Sequence, residues 1–359
     1  MLYAIKHAFF RFNLFGMDKI QKHTLSLLQS ALFGLPPSTE SLSEEEWQLV
    51  YVFAKEQGVT ALCYNAVLLL PENLRPPRKL MLQWAVFAEN VEKVHLSQKK
   101  AIGKLSKMIA DTDAKILIMK GFSISQYYHS PMRREFGDVD IYCCGRHDEV
   151  CRIVEEAGIE VSYENHRHSV FRIDGVPFEN HRYFLYNRSE EYEKQLETFL
   201  QQEAETCRKQ SDKNVLLGTH IGTAVFFLKH AEKDFVFSRI NIRLRTLCDW
   251  AMMLNSGKND YNQLNTIKKG KTIDRFADVL TAACVEKLGL SPDFLKFFPP
   301  VKRKVLDDFL FMTLNYRNLA KTRGTLKGRL QRLFKYIRHY KTYKYIFGKN
   351  VIKWYYFSK

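Results

Sequence analysis

The chain has 359 residues, enough for two or three domains that each bury a core. Its hydrophobic content of 46% and charged content of 26% are those of an ordinary globular protein. A formal net charge of +16 predicts an anionic partner: a nucleotide, a nucleic acid or a membrane surface. No window approaches the roughly 18 uninterrupted apolar residues of a membrane-spanning helix.

The cysteines and the N-terminus indicate a protein of the reducing cytoplasm. The seven cysteines are odd in number and show no metal-type CxxC spacing, which argues against a disulfide framework. The stretch from Met1 to Met17 is aromatic and basic, but polar residues interrupt its apolar run and no small-residue cleavage site follows, so we expect no signal peptide.

The first hundred residues predict helices only. Apolar residues recur at helical spacing from Asp18 to Phe33, and Ser43 with Glu46 forms a capping box before a second helix. A third helix follows. A long amphipathic pattern from Arg78 to about Ile109 then leads into the first strand, so residues 1–100 are predicted to be a helical region.

The next stretch carries the most informative pattern in the chain. It predicts a strand from Ile116 to Met119, a turn at Lys120-Gly121, a short helix from about Phe122 to His129, and a second strand holding Asp138 and Asp140. Side chains two apart in a strand share a face, so the two carboxylates are expected to project together and to suit a hard divalent cation. A glycine at a strand-to-helix turn lets a phosphate approach backbone N–H groups. The stretch therefore predicts a metal and nucleotide site.

A β-hairpin is predicted downstream. Two strand-like runs flank Asp174-Gly175, a strong signal for a two-residue turn. That turn places Val170 opposite Glu179 and His168 opposite His181. Both histidines and the glutamate are then expected on one face of the hairpin.

These residues resemble a known motif. The segments Met119-Lys120-Gly121, Ser130-Pro131, Arg134 and Gly137-Asp138-Val139-Asp140-Ile141 look like the motif of the uncharacterised nucleotidyltransferase family of bacteria. That family belongs to the DNA polymerase beta-like nucleotidyltransferase superfamily, and the similarity extends from about Leu25 to Asn255.

The resemblance implies a reaction and a set of roles. It implies transfer of a nucleoside monophosphate from an NTP to an acceptor hydroxyl or phosphate, with release of pyrophosphate (EC 2.7.7 type) and with Mg2+ or Mn2+ as cofactor. The expected metal and catalytic residues are Asp138, Asp140 and Glu179. The expected nucleotide-binding residues are Lys120, Gly121, Ser123, Arg134 and Arg243, and the candidates for supporting roles around the metal are His168 and His181.

One departure bears on the phosphate cradle. The superfamily has a Gly-Ser or Gly-Gly pair at the turn, whereas this chain has Gly121-Phe122, with Ser123 one place late.

The remainder predicts further helices and a basic tail. Ser189 to about Arg208 is expected to be an exposed helix or connector, and Val215 to Glu232 and Arg239 to Asn255 to be apolar helices. The predicted fold class is α+β: a small mixed-sheet nucleotidyltransferase core (101–188) flanked by the N-terminal helices and by a helical domain (189–310).

Residues 311–359 are predicted to be a basic, aromatic tail. Arg317 to Lys359 contains no acidic residue, and its apolar positions fall at a 4-3-4-3 spacing on one helix face: Leu326, Leu330, Leu333, Ile337 and Tyr340. Such a helix could lie on an anionic inner-membrane surface, hold an anionic polymer, or pack on the body.

Three functions remain open at this point. The first is nucleotidyl transfer to an acceptor that could be a protein side chain, a tRNA end, or a metabolite or glycan precursor. The second is glycosyl transfer, in which Asp138 and Asp140 hold a metal against a nucleotide-sugar. The third is a scaffold without catalysis that binds anionic polymers or membrane through its tail.

Overall fold

Four helices precede the sheet in the described part of the chain. The computed structural model describes residues 19–163, 166–185, 191–211, 213–237, 242–258, 260–315 and 334–348. The first helices are α1 (Lys19–Phe33), α2 (Glu44–Gln57), α3 (Thr60–Leu69) and α4 (Arg78–Met108). Ser43 accepts a hydrogen bond from the Glu46 amide and Glu46 accepts one from the Ser43 amide, so the predicted capping box begins α2.

The core elements follow largely as the sequence predicts. They are β1 (Ile116–Ile118), α5 (Lys120–Ser125), β2 (Val139–Tyr142), α6 (His147–Glu156), β3 (Val161–Ser162), β4 (His168–Ile173) and β5 (Val176–His181). The hairpin register is confirmed, with Val170 opposite Glu179 and His168 opposite His181. The second strand begins at Val139, so Asp138 lies just before it.

In the described parts of the C-terminal half, one strand lies among the helices. Its elements are α7 (Glu191–Lys209), β6 (Val215–Leu217), α8 (His220–Phe237), α9 (Leu244–Asn255), α10 (Tyr261–Lys268), α11 (Thr272–Leu288), α12 (Arg303–Leu314) and α13 (Tyr340–Phe347). Short 3-10 turns occupy Glu72–Leu74, Pro131–Arg133 and Pro292–Lys296.

The sheet is mixed and has six strands in the order β3-β4-β5-β2-β1-β6. Strand β2 pairs parallel with β5 and antiparallel with β1, and β1 pairs parallel with β6. The parallel pairing of β2 with β5 sets Asp140 opposite Glu179. An α+β fold with helices on both sides of one mixed sheet is thus confirmed.

Two of the predicted helices differ from the structure. Val215–Leu217 was expected to be helical but forms β6, because three apolar residues that run into a helix have no periodicity of their own. The segment predicted to be exposed is α7, which buries Leu196, Leu200 and Ala204 on one face. Its buried Glu197 accepts hydrogen bonds from the backbone amides of residues 184 and 185.

Each face of the sheet has its own hydrophobic core. Ile118, Val139 and Ile141 point to the side covered by α4 and α6, where they pack with apolar residues of those helices. Leu117 and Tyr142, which alternate with them, belong to the larger core formed with the N-terminal and C-terminal helices. Asp140 shares this second face, so the charged site borders the larger core.

Only part of the basic tail lies within the described residues. No helix in the described ranges is long and apolar enough to cross a membrane. Leu326, Leu330 and Leu333 lie outside the described residues, while Ile337 and Tyr340 are exposed. Helix α13 packs on the helical body through buried residues 343 and 346, and all seven cysteines are free thiols.

Candidate functional site

A buried aspartate lies at the centre of the site. Asp140 is 4% exposed and sits in the second residue of β2, directly opposite Glu179 of β5. Because side chains alternate along β5, His181 projects on the same face as Glu179, one step further along. The sheet pairing therefore brings an aspartate, a glutamate and a histidine together.

Two nitrogen groups meet the same oxygen of Asp140. The Lys120 Nζ atom lies 2.5 Å from Asp140 Oδ1, and His181 Nε2 lies 2.9 Å from it. His181 Nε2 is also 3.5 Å from Glu179 Oε2. Lys120 has a φ of 42°, in the left-handed region that non-glycine residues rarely adopt, so the turn holds this lysine over the carboxylate at a cost in backbone strain.

The protonation states follow from these contacts. Burial by itself raises the pKa of Asp140, but the Lys120 ammonium and the hydrogen bond from His181 hold that pKa well below its ordinary value. The hydrogen bond from His181 likewise lowers the pKa of Glu179. Burial lowers the pKa of Lys120 and of His181, yet their carboxylate partners raise both above the ordinary values. The two carboxylates are therefore ionised at neutral pH.

Asp138 is coupled to this pair from the loop before β2. Burial, followed by the charges of Asp140 and Glu179, raises its pKa. A raised pKa among like charges means that a bound cation would stabilise the ionised form of Asp138. Asp138 therefore lies within electrostatic range of Asp140 and Glu179, but the group whose ligand atoms lie within 4.8 Å of one another consists of Asp140, Glu179 and His181.

The turn after β1 is closely packed. A Cβ atom on Gly121 would lie 3.1 Å from Cβ of Phe136 and 3.5 Å from Nη1 of Arg134, which explains why a glycine is needed there. Ser123 is 1% exposed and its hydroxyl has no hydrogen-bond partner in the described structure. Phe122 packs beside Phe136, with ring centroids 6.4 Å apart.

Arg134 lies inside the protein, in a fork with Asp249 of α9. Its Nε and Nη2 atoms donate to the two carboxylate oxygens of Asp249 at 2.6 and 2.7 Å. Tyr128 donates to the same carboxylate at 2.7 Å, and Arg134 Nη1 donates to the carbonyl of Gly121 at 3.2 Å. In this position Arg134 fixes the turn that carries Lys120.

Two other residues of the predicted site are His168, beside His181, and Arg243, in the segment before α9. The His168 ring lies beside that of His181, with centroids 5.8 Å apart, and Arg243 is half-buried immediately before α9.

Helix α8 contributes further residues around Lys120, and sequence reasoning singled out His230 but not Phe226 or Lys233. The Lys120 ammonium lies 6.0 Å from the centre of the Phe226 ring, which faces it from α8. One turn later, the His230 ring packs against Phe226 at 4.4 Å. Lys233 follows, and burial together with the Lys120 charge lowers its pKa, which places a second cation near the site. The only sequence signal was the helical spacing of these positions.

A cavity opens beside Lys120, between β1, α7 and α8. Its volume is about 340 Å3 when the space open to solvent is counted. Its lining is mainly apolar, with Lys120, Glu203, Thr219 and Thr223 as polar members. The cavity borders the charged cluster at Lys120.

The donor atoms fit a divalent cation. Asp140, Glu179 and His181 each offer one ligand atom, and these atoms all lie within 4.8 Å of one another. In the described part of the chain this is the one group of three or more such side chains. Two carboxylates with one imidazole form a donor set that divalent metals accept.

Comparison with known proteins gives one match. Neither a search of curated proteins nor a search of solved structures finds a match to this chain. The sequence model of the uncharacterised nucleotidyltransferase family matches residues 43–288, a span that contains the sheet, Lys120, all three carboxylates and α9. Since that match covers more than half of the chain, the protein belongs to the uncharacterised nucleotidyltransferase family.

Proposed function

We propose that this protein transfers a nucleoside monophosphate from an NTP to an acceptor hydroxyl or phosphate and releases pyrophosphate. The observation that carries the proposal is the buried Asp140, set opposite Glu179 and capped by the Lys120 ammonium. In this reaction an acceptor oxygen forms a bond to the α-phosphorus while the bond from that phosphorus to the pyrophosphate oxygen breaks.

The carboxylates are the proposed metal ligands. Asp138, Asp140 and Glu179 would hold Mg2+ or Mn2+, which would neutralise phosphate charge in the reaction. Family membership supports the use of a nucleotide substrate. The ligand atoms of Asp140, Glu179 and His181, which lie within 4.8 Å of one another, support the binding of a cation.

Two lysines and a cavity are the proposed partners of the nucleotide. Lys120 from the β1–α5 turn brings positive charge to the site and would offset charge on the departing pyrophosphate, and an anionic phosphate would likewise favour the charged form of Lys233 from α8. Gly121 and Ser123, next to Lys120 in the chain, are the further proposed phosphate contacts. The cavity beside Lys120 borders the proposed phosphate site.

Glu179 is the proposed base. Its side chain is 33% exposed, whereas that of Asp140 is 4% exposed, so Glu179 is the one of the two that an acceptor in solvent can reach. Its pKa lies below the ordinary value in the metal-free site, with the His181 hydrogen bond as the main cause, so Glu179 is ionised and is free of the proton that it would take from an acceptor hydroxyl. The acceptor itself is a protein side chain, a tRNA end, or a metabolite or glycan precursor.

The test is transfer of an α-labelled NTP in the presence of Mg2+ or Mn2+, with a cell extract as the source of acceptor. Asp140→Asn and Asp138→Asn should each reduce transfer by about a hundredfold or more, since metal stabilisation of the transition state is worth several kcal/mol. The matched control is Asp174→Asn at the exposed hairpin turn, where Asp174 pairs with Lys104 and where asparagine also accepts the positive φ.

The mass of the product separates nucleotide transfer from sugar transfer. A product heavier by a nucleoside monophosphate supports the proposal, whereas one heavier by a sugar would replace it with the glycosyltransferase alternative. Equal activity of Asp140→Asn and the intact protein would overturn it.

A further inference from the structure

One member of the cation-binding group has a nitrogen donor. His181 is 12% exposed at its side chain and is held between two carboxylates on the same face of the sheet. The backbone determines this position, because β5 alternates its side chains and pairs in register with β2.

The distances suit a direct role for the imidazole. Nε2 of His181 is the ring atom that faces both Asp140 Oδ1 and Glu179 Oε2, at 2.9 and 3.5 Å. Metal–ligand distances of about 2.0 to 2.2 Å allow two ligands of one ion to lie up to about 4.4 Å apart. The three donor atoms, which lie within 4.8 Å of one another, therefore need little movement to share one ion.

The nitrogen donor affects which ion the site prefers. Mg2+ is a hard cation that takes oxygen ligands and retains several waters. Imidazole suits first-row transition ions, whose affinity for a given site generally increases from Mn2+ towards Cu2+. A site that includes an imidazole therefore disfavours Mg2+ relative to these ions.

We propose that the metal replaces the Nε2 proton of His181 and binds that nitrogen directly, and that the site thereby prefers a first-row transition ion such as Mn2+ over Mg2+. The use of this ion in catalysis rests on the proposed function, whereas its binding to the site does not. It gives His181 a place among the ligands, where the sequence predicts only a supporting role.

Pulsed electron paramagnetic resonance of the Mn2+ complex tests the ligand. The intact protein, prepared with 15N-labelled histidine, should show a 15N coupling to bound Mn2+. His181→Gln should lose that coupling. The matched control is His168→Gln on the facing strand, which should retain it. Bound Mn2+ without histidine coupling in the intact protein would overturn the proposal, even if His181→Gln failed to fold.

Calorimetric titration of Mn2+ and of Mg2+ tests the preference. Removing residues that merely support a ligand usually costs 10- to 100-fold in metal affinity, so losing a ligand should weaken Mn2+ binding by at least about tenfold. Mg2+ binding should weaken less, and the ratio of the two affinities should fall. An unchanged ratio in folded His181→Gln would contradict the inference.

The two proposals can fail separately. Histidine coupling without NTP turnover would support this metal site while removing the proposed reaction. Nucleotide transfer without histidine coupling would support the reaction and overturn the role of His181.

Discussion

Asp249 and Asp140 are buried aspartates that each hold a cation, and they do so in different ways. Asp249 has both oxygens bonded by Arg134 and accepts a further hydrogen bond from Tyr128. Asp140 receives Lys120 and His181 on a single oxygen, and the Lys120 side chain is 26% exposed whereas that of Arg134 is 6% exposed. In the first arrangement both carboxylate oxygens of Asp249 are hydrogen-bonded, and the pair is buried in the core. The second can exchange its cation, which is what a site for metal and phosphate requires.

The largest expected difference is in stability. Asp249→Asn leaves the Arg134 guanidinium buried without a counter-charge, and breaking such a pair typically costs about 3–5 kcal/mol of unfolding free energy. Asp140→Asn should cost far less, because Lys120 can turn to solvent. Chemical denaturation at neutral pH measures both changes. Equal losses in the two variants would remove the distinction between them.

The turn at Lys120-Gly121 contacts the ion pairs of both aspartates, so its substitution should have the next largest effect on stability. Gly121→Ala brings a methyl group to 3.1 Å from Cβ of Phe136, and overpacking of this kind typically costs about 1–3 kcal/mol. The control is Gly103→Ala within α4, where an added Cβ meets nothing within 4 Å. That substitution should stabilise the protein by up to about 1 kcal/mol. Thermal or chemical unfolding shows whether the two changes have opposite signs.

Replacing Lys120 should have opposite effects on metal binding and on turnover. Lys120→Gln removes the ammonium that competes with a metal for Asp140, so divalent-ion affinity should rise, by up to about tenfold. Turnover should fall, because positive charge near the leaving pyrophosphate is lost. Lys104→Gln, which removes an exposed lysine paired with Asp174, is the control. Weaker metal binding in Lys120→Gln would mean that Lys120 organises the site rather than competing for it.

The smallest effect on stability is expected at the exposed ion pair between Asp148 and Arg182. Hydrogen bonds from Arg182 and then from His147 lower the pKa of Asp148 to about 2, but its side chain is 68% exposed. Asp148→Asn should therefore cost no more than about 1 kcal/mol at neutral pH. Because the folded pKa is depressed, this contribution is complete above the ordinary aspartate pKa of about 3.9 and disappears as the pH falls towards 2. Denaturation curves of both proteins across that range measure the loss.

The sequence predicted the parts of the site that follow local rules. Alternation along β5 and a two-residue turn were enough to place Glu179 and His181 on one face, since both rules act over a few residues. The pairing of β2 with β5 was suggested only by resemblance, because the strands lie far apart along the chain.

Other parts had no local signal. Asp249 lies 115 positions after Arg134, and no spacing rule joins the two. Strand β6 has three residues, too few to show a period. The Phe226 ring is one apolar position among many in α8, and only packing directs it to Lys120.

The fork between Arg134 and Asp249 also affects the order in which the site can be made. During synthesis the N-terminal part of a chain emerges first and begins to fold while later residues are still being added. The carboxylates at 138, 140 and 179 emerge well before Asp249, so Arg134 has no counter-charge until α9 has been made and has docked. The nascent chain therefore exposes its acidic residues for several seconds, at about 5–20 residues per second, before the turn that holds Lys120 over them can be fixed.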